Sequence, residues 1–206
     1  MEEKYVCVQE AMSTHLLKQE EKTNKLAIML PGAGYTTKAP LLHFSTGLFY
    51  NEGYDILHVN YTYNQEELAQ LKAQDFITGV ERAVEAELDG RHYDSVYVVA
   101  KSLGTIALSS MVRDKKFSST MKAVWLTPLI NKDEVFDAMM NSVYKSLCVI
   151  GDQDPYYSKK RIDELKSHDT MTCKVIPGAN HGLQLDHDVM KSIDLLKEVM
   201  EEIKKF

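Results

Sequence analysis

Apolar residues along this chain follow two alternating rhythms. One is the short unbroken run, seen at residues 26–30 (Leu-Ala-Ile-Met-Leu), 55–59, 95–100, 123–126, 147–150 and 173–176. Runs of this length, rich in β-branched residues and bounded by turn residues, suit strands covered on both faces. The other rhythm is the spaced stripe. Leu68, Leu71, Val80, Val84 and Leu88 fall near one face of a long helix entered at Asn64, a suitable N-cap. Val189, Ile193, Leu196, Met200 and Ile203 step by four, three, four and three along a final helix, with Asp186 expected as its cap. Two further short strands are expected ahead of the alternation, at 4–9 and 13–18.

Strands and helices taking turns imply a mostly parallel sheet of about seven or eight strands with helices on both faces. Ligands in such sheets bind at the carboxyl ends of the strands, so the chemistry is to be sought just after each one. With no repeat, low-complexity tract or Pro/Gly-rich linker in its 206 residues, the chain is expected to form one domain over 1–206.

Composition narrows the classes. The chain is 44% hydrophobic, enough for a sizeable core without metals or disulfides. Cys7, Cys148 and Cys173 are an odd number with no C-x-x-C pair, so reduced thiols and a cytoplasmic setting are expected. The first residues, Met-Glu-Glu-Lys-Tyr, lack the apolar stretch of a signal peptide, and no run is long enough to span a membrane. The net charge of −6 argues against a nucleic-acid partner, and no membrane partner is expected.

Chemistry concentrates in four segments. Val98-Val-Ala-Lys-Ser102-Leu-Gly-Thr-Ile106 runs a strand into a helix with Ser102 at the turn and small residues, Ala100 and Gly104, on either side. This is the G-x-S-x-G nucleophile elbow with Ala for the first Gly, and large flanking side chains would collide with the turn. The helix start also offers the Leu103 N–H and a positive dipole end to an oxyanion. By itself the segment also reads as a serine helix cap. Cys148-Val-Ile-Gly-Asp-Gln-Asp154-Pro155 places a carboxylate just past a strand end, where it can orient a histidine; Asp152 is its neighbour and rival. Val175-Ile-Pro-Gly-Ala-Asn-His181-Gly places a histidine in a loop before the final helix. Leu30-Pro-Gly-Ala-Gly-Tyr35 is a Gly-rich turn able to aim a second N–H at a reacting oxygen; Pro31 has none, so Ala33 and then Gly34 are the candidates. A dinucleotide fingerprint is rejected, because Thr37 stands where the third glycine belongs. The spacing of His181, Asp186, His187 and Asp188 matches no metal-ligand pattern.

The order of these segments (oxyanion turn, Ser, Asp, His) resembles that of the α/β-hydrolase superfamily over nearly the whole chain. The resemblance implies a three-layer α/β-hydrolase fold, with Ser102 the nucleophile, Asp154 the acid after the seventh strand and His181 the base after the eighth. Leu103 and Ala33 would then supply the oxyanion N–H groups. Ala100 for the first elbow Gly, and Pro31 where many members have His, are departures from the pattern. The activity implied is hydrolysis of an ester of a small-molecule acyl substrate through an acyl-enzyme, with no metal or organic cofactor. An amidase, peptidase or thioesterase would use the same residues, and a non-catalytic binding protein would keep only the fold. Family members often carry a cap after the sixth strand, but here Trp125-Leu-Thr-Pro128 is followed by one modest helix, about 132–143, and no large cap is expected. Tyr35, Tyr61, Tyr63, Tyr156 and Tyr157 follow strand ends and are candidates to line the substrate pocket. Lys101, beside the serine, could favour an anionic substrate, but pairing with a surface acid is the expected reading.

Overall fold

The computed structural model describes residues 12–117 and 120–206, so the strand expected at 4–9 and Cys7 lie outside the described residues. The strands are β1 (Met12–Leu17), β2 (Lys25–Leu30), β3 (Asp55–Tyr61), β4 (Ser95–Lys101), β5 (Lys122–Leu126), β6 (Lys145–Gly151) and β7 (Met171–Ile176). They form one sheet in the order β1-β3-β2-β4-β5-β6-β7. Among the described residues only β1 is antiparallel, paired to β3 with Met12 opposite Tyr61. The other neighbours are parallel, so the carboxyl ends of β2, β4, β5, β6 and β7 meet at one edge.

Between the strands lie α1 (Pro40–Asn51), α2 (Gln65–Gln70), α3 (Ala73–Leu88), α4 (Gly104–Arg113), α5 (Asp133–Met140), α6 (Lys159–Lys166) and α7 (Val189–Lys205). The apolar runs are strands because both their faces are covered. Val96, Val98 and Ala100 pack toward α3, α4, α5 and α6, while Tyr97 and Val99 pack toward α1 and α7. Leu26 to Leu30 has no exposed surface at all. A fully buried aliphatic side chain contributes about 1.5–3 kcal/mol, so these central strands form a rigid base for the loops at their ends. Cys148 and Cys173 are register partners on β6 and β7 and are free thiols.

Two expectations are corrected. The long helix entered at Asn64 is two helices. Asn64 does cap α2, in a reciprocal box with Glu67, but Leu71 and Lys72 are extended. The break has a packing reason: α2 has no fully buried residue and only leans Leu68 on the core, whereas α3 turns Phe76, Ile77, Val80 and Val84 onto the sheet. The cap of α7 is Asp188, which accepts from the Lys191 N–H, and not Asp186, which accepts from the Asn180 amide. His187, at φ 66, separates Asp186 from the helix.

Candidate active site

The turn after β4 is shaped by steric necessity. Ser102 sits at φ 49, in the left-handed region that a non-glycine residue adopts only under strain. It lies one residue ahead of the helix cap position, held by Leu103, and so does not cap α4. A Cβ on Gly104 would lie 2.4 Å from the Leu30 carbonyl oxygen, so only glycine allows α4 to start this close to β2. Gly32 passes the elbow from the other side, where an added Cβ would meet that of Ser102 at 3.1 Å. The Ser102 N–H donates to the Leu126 carbonyl, tying the elbow to β5.

The acid and base turns are joined through their backbones. The Asp152 N–H donates to Ile176, and the Gln153 N–H donates to Ala179. The Asp152 carboxylate accepts from the Gly178 N–H at 2.7 Å, so this rival of Asp154 braces the loop before His181. Gly151 lies so close to that loop that a Cβ would sit 1.9 Å from the Ala179 oxygen. Asn180 then folds the chain around the histidine, its side-chain oxygen accepting from the N–H groups of Gly182 and Gln184.

These constraints bring Ser102, His181 and Asp154 into one hydrogen-bonded line. His181 Nε2 is 2.8 Å from Ser102 Oγ, and His181 Nδ1 is 2.7 Å from Asp154 Oδ2. An ionised carboxylate only accepts, so Nδ1 carries the ring proton and Nε2 is left to accept from the serine hydroxyl. Asp154 is buried, and its other oxygen accepts from the Tyr156 N–H at 2.8 Å. The Tyr156 ring stands edge-on to the imidazole, 5.1 Å between centroids.

Around the serine, the N–H groups of Leu103, Ala33 and Gly34 have no partner among the described residues. The turn carrying Ala33 and Gly34 closes through the Tyr35 N–H to the Gly32 carbonyl, with Gly34 at φ 65. The Pro31 carbonyl just before it accepts from both the Gly104 N–H and the Tyr61 hydroxyl.

The tyrosines divide by place. Tyr61 and Tyr63 are buried in the core beside Phe76, and burial pushes the Tyr61 hydroxyl well above its ordinary pKa. Tyr35 accepts the Leu41 N–H, while Tyr156 and Tyr157 are half-buried beside the Asp154 turn. Lys101 is not a surface residue. It is 3% exposed, and its Nζ donates to Thr127 Oγ1 at 3.2 Å and to the His181 carbonyl at 3.0 Å. Burial lowers its ammonium to about 8, opposed by the charge of Asp154. Neither Lys101 nor Gly32 was marked by the sequence as part of the site. Gly32 carried a signal in the Pro-Gly turn after β2, and Lys101 carried none beyond adjacency.

A mostly parallel sheet with a strained serine turn at the end of a central strand is the architecture of the α/β hydrolases. Residues 23–206 match the family model described as an alpha/beta hydrolase domain, and the chain belongs to that family. No curated protein matches it in sequence. Among solved structures, it is similar to Est1E from Butyrivibrio proteoclasticus, with TM-score 0.73 and 15% identity over 95% of this chain and 91% of that one. A dienelactone hydrolase from Anabaena variabilis gives TM-score 0.67 and 17% identity over 98% and 95% of the two chains. A serine hydrolase without lid from Xanthomonas campestris gives 0.65 and 12% over 94% and 88%. At such identities the likeness speaks for the fold alone.

Proposed function

We propose that this protein is a serine hydrolase that cleaves carboxylic esters of small molecules through a Ser102–His181–Asp154 triad. The observation that carries the reading is the unbroken hydrogen-bonded line from the Ser102 hydroxyl through the imidazole to a buried carboxylate. In the proposed reaction His181 Nε2 takes the hydroxyl proton as Ser102 Oγ bonds to the ester carbonyl carbon. Asp154 stabilises the imidazolium without taking its proton. The negative charge reaching the carbonyl oxygen is met by the Leu103 N–H and by that of Ala33 or Gly34, which are unspent in the free protein. His181 then gives its proton to the departing alcohol. A water, deprotonated by the same nitrogen, releases the acid and restores Ser102.

The reading extends to the whole chain as one domain without a large cap, since α5 is the single helix between β5 and β6. Tyr35, Tyr156 and Tyr157 are its pocket residues, being half-buried on the loops that carry the triad and the oxyanion turn. A cytoplasmic setting is part of the proposal and draws support from the free thiols of Cys148 and Cys173. No helix among the described residues is long and apolar enough to cross a membrane.

A fluorophosphonate probe tests the proposal. Wild-type protein is expected to be labelled and Ser102→Ala is not, with turnover in that variant lower by about a million-fold. p-Nitrophenyl esters of rising chain length would then define the acyl preference, set against an anilide and a thioester of the same acid. Wild-type protein that neither takes the label nor turns over any ester would sink the reading in favour of a non-catalytic protein.

A further inference from the structure

Lys101 is a buried cation whose hydrogen-bond partners are a hydroxyl and a main-chain carbonyl, with no carboxylate paired to it among the described residues. Such burial is unfavourable unless the charge is used, and an apolar side chain of similar length would fill the space more cheaply. Its surroundings show what the charge holds. The ammonium lies 4.7 Å from the centroid of the Tyr35 ring, which belongs to the oxyanion turn. The Thr127 hydroxyl comes from the end of β5, where Thr127 sits at φ 43 with its N–H donating to Val149 of β6. The third partner is the carbonyl of His181 itself. One ammonium therefore joins three loops of the sheet edge, and the backbone it grips is that of the proposed base.

We infer that Lys101 is a positioning residue: clamped between the Thr127 hydroxyl and the Tyr35 ring, its ammonium holds the main chain of His181 and so keeps the imidazole in line with Ser102. The inference rests on the hydrolase reading above. The titratable side chains facing it are Tyr35 from the loop after β2 and Asp154 from the loop after β6; Thr127 does not titrate, and His181 meets it through its main-chain carbonyl. Tyr35 has its pKa raised, chiefly by burial, so it stays neutral where Lys101 loses its proton. Deprotonation removes the cation's hold on the ring and weakens its bonds to both oxygens.

The test is steady-state hydrolysis of p-nitrophenyl acetate by wild type, Lys101→Met and Thr127→Val, with melting temperature measured alongside. Lys101→Met is expected to lose about 10- to 100-fold in kcat with KM unchanged, the scale of a misplaced catalytic group. It should melt no lower than wild type. The wild type should lose kcat as pH rises past about 8, and Lys101→Met should show no such fall. Thr127→Val removes one of the two oxygens and should show a smaller loss in kcat; it carries the test if Lys101→Met does not fold. A Lys101→Met enzyme as fast as wild type overturns the inference, and so does one whose melting temperature falls along with kcat, which marks a packing role. Failure of the wild type to react with ester or fluorophosphonate strikes the hydrolase reading instead.

Discussion

Ser102 shows how a residue's chemistry follows from its backbone. A non-glycine residue held in a sparsely populated region costs on the order of 1–3 kcal/mol, and here the close passes at Gly32 and Gly104 enforce it. The strain lifts the hydroxyl to where an imidazole can reach it. The histidine depends on Asp154 in turn, since that carboxylate selects the tautomer with the proton on Nδ1. Asp154→Asn offers an amide in its place, which can stabilise the wrong tautomer. Its kcat is expected to fall by about 10⁴-fold if the triad operates as in other serine hydrolases, with an unchanged circular dichroism spectrum; kinetics on the purified variant check this. The sequence marks these three as candidates because each follows an apolar run and stands beside small or turn-forming neighbours, and the fold brings them within hydrogen-bond reach of one another. Lys101 is not so marked. A lysine after a strand reads as solvated, and only the folding of three separate loops over it reveals that it is buried. Tyr61 was misleading in the opposite sense, because its hydroxyl is taken up by the Pro31 carbonyl.

Among the elements, the closest coupling is between the turn after β6 and the loop after β7. Gly151 touches the Ala179 carbonyl, and the Gln153 N–H bonds to that same oxygen. Adding a single methyl in Gly151→Ala must push these segments apart. Overpacking of this kind costs about 1–3 kcal/mol, so the variant should melt lower, and kcat should fall because Asp154 and His181 are carried on the two displaced segments. Thermal melts and ester kinetics measure both. The strands were legible as apolar runs because the sheet is covered on both sides. The helices were less so. α6 (KKRIDELK) buries only Ile162 and Leu165, and α1 begins at Pro40 with Gly47 inside it, so neither shows a clear stripe. The bend at Leu71 and Lys72 is hidden in the sequence because hydrophobic spacing continues across it and only docking of α3 requires the break.

The molecule as a whole should respond to acid through His58. It lies on β3 opposite His15 of β1 and under α1, its Nε2 2.8 Å from Thr46 Oγ1 and its ring 6.3 Å from that of His15. Burial first, then the nearby His15 and His43, lower its pKa to about 4. The unfolded chain takes up this proton near the ordinary histidine value of about 6.5, whereas the folded one resists until about 4. Stability is therefore expected to fall as pH drops from about 6.5 to about 4 and to level off below, as far as this group is concerned. Urea titrations of wild type and His58→Gln across that range check it, the variant showing the shallower dependence. The global pattern of alternating strands and helices was plain from the sequence. Which histidines gather in the fold was not, because His15, His43 and His58 meet only once β1 lies against β3 and α1 covers them.

The backbone coupling of the acid and base turns has a practical consequence for redesign. Main-chain groups do most of the fastening, and the exposed Gln153 side chain adds only a 3.1 Å bond to Asp152 Oδ1 on its own turn, so its exchange is expected to leave Asp154 and His181 in place. Residues 151–154 and 176–181 are therefore expected to serve as one cassette, to be transplanted together or left in place.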